Sequence, residues 1–396
     1  MKVGLFIDTF YPMVDGVIKV VDNYARRLAN KCEVTVFCPA VKGYNPKDDK
    51  KFPYEIVRCT ALPIPGQDYS LPLPLADPAF NLPLIKSDLD IVHIHSPFAV
   101  GTAGVFYSKI HQIPVVGTLH SQYRRDFERT FKLEPTVKMA LNTLMMTFST
   151  CDECWAVNPA IRDLYVNEYG LTAPCKVMLN ATDHLPVADP AAAAERVNKR
   201  YGIEAGETVF LFVGRINFQK NLDFTVRALK ILKDRHIQFK MIFVGQGLDE
   251  DRLAALVREL GLEDRIIMAG LVGGREDLQD LYSRAKLFLF PSLYDANSLV
   301  QIEAACQGTP TVFIRGARTA ATVTDGVNAL ISDPTEEAFA DAIQSVLDDP
   351  ALYDRLSTAA RKQLYLDWDT VVDRVYDKYQ ELIAAKKADL ETKKRL

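Results

Sequence analysis

The sequence predicts an α/β protein built as two doubly wound halves, and three observations carry that expectation. Short apolar runs alternate with amphipathic stretches from the first residues, which argues for parallel sheets with helices on both faces. The alternation lapses and then resumes after residue 205. The chain has 396 residues, more than one domain usually holds and enough for two of about 150–200 residues.

Val3–Ile7 reads as a first strand, Val17–Ala29 as a helix and Glu33–Cys38 as a second strand. Leu62–Pro83 carries six prolines, a density that forbids regular ladders, so it reads as an ordered surface excursion or lid. Ile91–His95 and Pro114–Thr118 read as strands with a helical pattern between them. Asn180–Ala205, with Pro186, Pro190 and the alanines 191–194, reads as a hinge and an entry helix. The second block runs Val209–Val213 strand, Leu222–Lys233 helix, Lys240–Val244 strand, Asp249–Leu260 helix, Ile266–Met268 strand, Leu278–Ala285 helix and Lys286–Phe290 strand. Val371–Leu396 closes with a long helical pattern. The expected domains are 1–185 and 186–370.

Composition narrows the function classes. With 48% hydrophobic and 25% charged residues the chain is neither disordered nor a small disulfide scaffold. Lys and Arg number 47 against 51 Asp and Glu, and residues 1–185 hold 19 of each sign, so neither half is a polycation made for nucleic acid. The apolar run at the start meets Asp8 too soon for a signal peptide. The uncharged stretch Ile91–Ser108 holds two His, a Pro and two Gly, and reads as strand and loop, not a membrane span. Seven scattered cysteines suggest reduced thiols in a cytoplasm, and Cys151-Asp-Glu-Cys154 is a lone pair of thiols without the four ligands of a structural zinc.

Open doubly wound sheets bind ligands beyond the carboxyl ends of their strands. Four clusters fall there. Tyr11-Pro-Met-Val-Asp-Gly16-Val leads into a helix, where a glycine admits close backbone approach, although a plain loop glycine has the same look. His120 lies just past a strand end, followed by Tyr123 and Arg124; a core histidine is its alternative. Gly214 and Arg215 end a strand and Lys220 precedes a helix, so two cations can converge on a diphosphate, or simply decorate a solvated loop. Asp295 precedes a helix and Glu303 lies about two turns inside it, with the amides of Asn297, Ser298 and Leu299 between. Carboxylate, amides, carboxylate matches the hydroxyl, phosphate, phosphate, hydroxyl order of a sugar nucleotide. No G-x-G-x-x-G follows the first strand and no Walker A loop is present, which lowers the standing of dehydrogenase and NTPase readings.

In this order the clusters resemble the retaining GT-B glycosyltransferases of family four, over nearly the whole chain; Gly245-Gln-Gly247 and the Gly270 turn also match. The resemblance implies an α/β GT-B fold, two facing Rossmann-like domains with a cleft between them. The donor would be held mainly by the second domain, and the last helix, about 371–396, would pack back on the first. It implies that Arg215 and Lys220 neutralise the donor diphosphate, that Glu303 accepts from the ribose and Asp295 from the donor sugar. Gly16 would let backbone meet the diphosphate, His120 would lie beside the sugar, and Leu271 would flank the base. The sequence departs from the pattern at Asp295, usually Glu, at Ala296-Asn297-Ser298, where an aromatic and a glycine are usual, and at Asp15, where a second glycine is more familiar.

The resemblance further implies retention of configuration without a metal or other cofactor, the leaving phosphate itself taking the acceptor's proton. The one D-x-D, Asp88-Leu-Asp90, leads into a strand and reads as structural. Arg124, Arg125, Arg129, Lys132 and Lys138 precede Leu141, Leu144, Met145 and Phe148 at helical spacing. That stripe is either core or a face resting on an anionic membrane. The His120–Tyr123 neighbourhood also resembles the diacylglycerol glucosyltransferases, which implies a UDP-sugar donor, a diacylglycerol or glycolipid acceptor, and a cytoplasmic protein peripheral on the inner face of the cell membrane. A soluble sugar or sugar phosphate acceptor, a nucleotide-sugar epimerase and a non-catalytic nucleotide-sugar binder stay open beside it.

Overall fold

The computed structural model describes residues 1–41, 43–64 and 70–395. It divides into two compact units, Met1–Asn180 with Trp368–Leu396, and Ala181–Asp367.

Among the described residues unit one is built on nine strands: β1 Lys2–Phe6, β2 Glu33–Pro39, β3 Glu55–Cys59, β4 Ala61–Pro63, β5 Ser70–Pro72, β6 Ile91–Ile94, β7 Val115–Leu119, β8 Glu153–Ala156 and β9 Cys175–Val177. Seven form one parallel sheet in the order β3-β2-β1-β6-β7-β8-β9. Its middle strands are buried on both faces, which is why they read as continuous apolar runs. The helix Trp368–Arg395 packs on this unit. Asp369 and Asp373 pair with Arg27 and Lys31, and Lys386 reaches Asp152.

The proline-rich stretch is more regular than its composition predicts. β4 and β5 form an antiparallel hairpin, and Pro78–Lys86 is a helix. Pro63 and Pro72 each end a three-residue strand, and Pro78 takes the first helical turn, so their missing N–H groups cost few hydrogen bonds. Residues 65–69 of that stretch lie outside the described residues.

Unit two holds β10 Val209–Val213, β11 Lys240–Val244, β12 Ile266–Gly270, β13 Leu287–Leu289, β14 Thr311–Ile314 and β15 Leu330–Ser332, all parallel, in the order β12-β11-β10-β13-β14-β15. The entry helix is Pro190–Tyr201, with Asp189 accepting from the amides of Ala191 and Ala192. In the core beneath the carboxyl edge Phe212 stacks on Phe290 and meets Phe243 at a tilt.

Strand order reverses beside β1 in unit one and beside β10 in unit two. A crevice therefore opens beyond the carboxyl ends of β1 and β6, and another beyond β10 and β13. No described helix is long and apolar enough to cross a membrane.

Candidate active site

The loops beyond β10 and β13 are tied together. The Asn221 amide donates to Pro291 O at 3.1 Å, and the Lys220 ammonium pairs with the Asp295 carboxylate. Both charged groups are 15% exposed, so each is reachable but mostly desolvated. Lys220 ends a short 3-10 turn, Phe218–Lys220, and its Nζ lies 5.8 Å from the Tyr294 ring centroid. Arg215, two residues past the end of β10, is exposed and pairs with no carboxylate among the described residues.

Two glycines after β11 hold the Arg215 loop in place. A side chain on Gly245 (φ +132°) would put its Cβ 1.9 Å from Gly214 O, and one on Gly247 would meet Ile216 O at 2.2 Å. That closeness lets Gly214 N and Ile216 N donate to Val244 O and Gln246 O. Gly245→Ala combines a backbone collision with a conformation foreign to alanine. It should cost about 3 kcal/mol or more and disorder the Arg215 loop, measurable as a lower melting temperature and weaker nucleotide binding.

The helix after Asp295 runs Leu299–Cys306, so it starts later than the sequence suggests. Glu303 is its fifth residue, so it sits little more than one turn inside, not two. The chain is still a loop at Asn297 and Ser298 because the Ser298 amide donates to Thr319 Oγ1 at 3.2 Å. Of the three amides expected to meet a ligand, that one has a protein acceptor. Glu303 is 7% exposed and accepts from the Tyr282 hydroxyl at 2.8 Å. Burial, with the Glu303 carboxylate beside it, pushes the Tyr282 hydroxyl well above its ordinary pKa and keeps it a donor. Leu271, after the Gly270 turn, is 71% exposed.

Unit one has the same topology and the opposite electrostatics. Gly16 opens the helix Gly16–Leu28 with space around it, but Asp15 caps that helix, accepting from Ile18 N at 2.8 Å. Asp8, just past β1, accepts from Val100 N and Ser96 Oγ at 2.7 Å each, at the start of the helix Ala99–His111. Both helix N-termini at this crevice already face a carboxylate. In unit two the helices Leu222–Asp234 and Leu299–Cys306 carry no side-chain cap. Asp295 and, in the first helical turn, Asp223 also stand in unit two, but Arg215 and the helix starts without side-chain caps tip the balance toward an anion there, while Asp8 and Asp15 oppose one at unit one.

Asp8 is also a titration probe. Burial pushes its pKa from 3.8 up to about 6, against the pull of its amide and hydroxyl donors. A raised carboxyl pKa contributes stability below pH 3.8 that is lost as pH climbs through 6. Relative to Asp8→Asn, the wild type should lose about 2 kcal/mol between pH 4 and 7. Both tryptophans, Trp155 and Trp368, lie in unit one, so their fluorescence in urea titrations reads the difference.

His120 follows β7 and its Nε2 lies 3.1 Å from His95 Nδ1. Burial pushes its pKa down to about 3, which makes it a neutral ring at any working pH. Tyr123 is 8% exposed, between the Phe98 ring at 5.7 Å and the Phe127 ring at 6.2 Å. Arg124 bonds both Glu128 and Glu134 at 2.7 Å, so it is charge-compensated rather than poised for an anion. Leu141, Leu144, Met145 and Phe148 are buried, which settles the stripe as core. The exposed apolar side chains of this region are others: Leu133, Met139 and Met146 near and on that helix, and Phe98, Phe106 and Ile110 near and on the helix Ala99–His111.

Two family matches divide the chain between them. Residues 14–184 match Glycosyltransferase Family 4, and residues 194–363 match Glycosyl transferases group 1. The chain belongs to the group 1, family four glycosyltransferases. Among relatives of this glycosyltransferase, mannosylfructose-phosphate synthase of Agrobacterium fabrum is 29% identical across 69% of the chain, which covers 64% of that protein, just under two thirds. Alpha-monoglucosyldiacylglycerol synthase of Streptococcus pneumoniae is 23% identical across 79% of the chain and 70% of its own length. Among solved structures, Anabaena Alr3699/HepE in complex with UDP and glucose superposes with a TM-score of 0.75 at 18% identity, covering 96% of this chain and 99% of that one. Sucrose-phosphate synthase from Thermosynechococcus elongatus gives 0.76 at 20% identity, covering 97% and 99%. The glycosyltransferase thus has the GT-B fold of these structures.

The geometry adds residues that sequence reasoning missed. Asp8 ends the first apolar run, so its place at a strand end was legible, but its bonds to a helix 92 residues away were not. His95 was visible only as one of two alternating histidines. Tyr282 carried no signal, since its contact with Glu303 spans two helices.

Proposed function

We propose that this glycosyltransferase moves a hexosyl group from a UDP-sugar to a lipid acceptor hydroxyl, of diacylglycerol or a glycolipid, with retention and without a metal. The observation that carries the reading is the contrast at the two crevices. Asp15 and Asp8 occupy the two helix N-termini beyond β1 and β6, while Arg215, Lys220 and two helix N-termini without side-chain caps stand beyond β10 and β13. Of the two crevices the second is the more favourable to a diphosphate, with Arg215 unpaired among the described residues and Lys220 balanced by Asp295 until the ligand arrives.

As the bond from the anomeric carbon to the phosphate oxygen breaks, negative charge grows on the diphosphate. Arg215 and Lys220 would take up that charge. Asp295, released in part from Lys220, would turn an oxygen to the sugar hydroxyls, and Glu303 would accept from the ribose. The acceptor oxygen would bond to the anomeric carbon on the face the leaving group vacates, its proton passing to the departing phosphate. Gly16, Leu271 and His120 would complete the donor surroundings.

The exposed apolar side chains of unit one and the aromatic row of Phe98, Tyr123 and Phe127 support an acyl-chain acceptor at an anionic membrane surface on the cytoplasmic side. The likeness to alpha-monoglucosyldiacylglycerol synthase supports it too. A sugar phosphate acceptor is the second reading, favoured by the likeness to mannosylfructose-phosphate synthase.

The test is a panel of UDP-, GDP- and ADP-sugars against diacylglycerol in mixed micelles and against soluble sugar phosphates, with products identified by mass spectrometry. Acceptor-dependent release of UDP with a glycolipid product is expected. Product only from soluble acceptors overturns the lipid assignment. Turnover should survive EDTA; loss restored by a divalent ion overturns the metal-free reading.

A further inference from the structure

Three imidazoles stand in a row in unit one. His93 and His95 alternate along β6 and its end, so they share one face, and His120 follows β7 on the neighbouring strand. The His93 and His95 ring centroids are 4.0 Å apart, and those of His95 and His120 are 5.3 Å apart and stacked. Burial keeps all three neutral. His93 is saturated, with Nδ1 at 2.5 Å from the Tyr379 hydroxyl and Nε2 at 2.6 Å from Thr118 Oγ1. It has nothing left to offer His95.

A neutral imidazole carries one N–H and one lone pair. His95 Nδ1 meets His120 Nε2, while His95 Nε2 is buried and meets no partner. If His120 donated, the hydrogen of His95 would have to sit on Nε2, as a buried donor with nothing to receive it. If His95 donates, Nε2 holds only a lone pair. Orphaned buried N–H groups are rarer than under-satisfied acceptors. The Tyr24 ring stands edge-to-face with His95 at 5.7 Å, and an N–H contact to a π face is a second-order compensation.

We propose that His95 is a positioning residue for the transfer: its Nδ1–H donates to His120 Nε2 and so fixes His120 as the Nδ1–H tautomer, a neutral hydrogen-bond donor at the ligand edge of the sheet. The proposal rests on the reading that places His120 beside the donor sugar. His120 then holds a sugar oxygen by donating to it. It accepts no proton, which agrees with the leaving phosphate taking that role. His93, locked between Tyr379 and Thr118, acts as the backstop that keeps the His95 ring in register.

The test begins with long-range 15N–1H correlation of the full chain, whose six histidines can be assigned by single substitutions. His120 should show the Nδ1-protonated pattern at pH 7; the Nε2-protonated pattern overturns the proposal. His95→Phe keeps the ring volume without the donor. It should move His120 to the Nε2–H pattern and lower kcat about tenfold, the loss of one neutral hydrogen bond. His95→Asn retains a donor and should keep kcat within about threefold of wild type. Equal losses in both variants at unchanged melting temperature would mean that His95 only fills space. Should either variant fail to fold, the wild-type spectrum still decides. If the wild type transfers no sugar from any donor, the functional reading fails, while the tautomer stands or falls on the spectrum alone.

Discussion

Lys220→Ala should lower kcat/KM by about 10²–10³-fold, as removal of one group that stabilises developing charge does, and leave the fold intact. Lys220 sits at the end of a 3-10 turn and is partly exposed, so its removal opens no core cavity. The loss is larger than that of one surface cation because of Asp295. In the wild type the two charges offset one another, and without Lys220 the Asp295 carboxylate faces the diphosphate unopposed. Lys220→Ala with Asp295→Ala should therefore bind UDP more tightly than Lys220→Ala alone, a coupling readable by calorimetry of the four proteins in the cycle. Strictly additive affinities would show that the pair does not act on the phosphates as a unit.

Glu303→Ala should weaken UDP binding by about 10–100-fold, the range for one hydrogen bond to a charged group. It should also cost stability, because the Tyr282 hydroxyl is left buried without its acceptor. That second effect is worth about 1–3 kcal/mol and could imitate the first. Tyr282→Phe separates them. It removes the hydroxyl but leaves the buried carboxylate without that donor, so it should destabilise by about 1–3 kcal/mol while UDP affinity stays near wild type. A Glu303→Ala protein that melts lower yet binds UDP normally would remove Glu303 from the ribose and leave it a core residue.

The parallel sheets were legible because their strands are buried on both faces. Val209–Val213 and Lys240–Val244 have the same bounds in sequence and structure, since each is a plain apolar run between polar stretches. The edge strands Glu55–Cys59 and Cys175–Val177 were not, because half-exposed edges break the run. The hairpin of β4 and β5 was hidden by its prolines, whose placement at strand ends is a matter of position and not of composition. At the site, Arg215, Lys220 and Asp295 could be read from strand ends, but their mutual charge compensation could not. Lys220 and Asp295 lie 75 residues apart, and no periodicity records such a pair. The same holds for Asp8, whose negative charge turns unit one away from anions.

The helix Trp368–Arg395 belongs to the unit that begins the chain, with the whole of unit two threaded between. On a ribosome this inverts the usual order of completion. Unit two can close as soon as it emerges, while the first sheet must wait with its buried His93 still lacking the Tyr379 hydroxyl, 286 residues downstream. The earliest-made half is thus the last to mature. A chain truncated after Asp367 would carry one finished unit and one that still lacks a wall of its core.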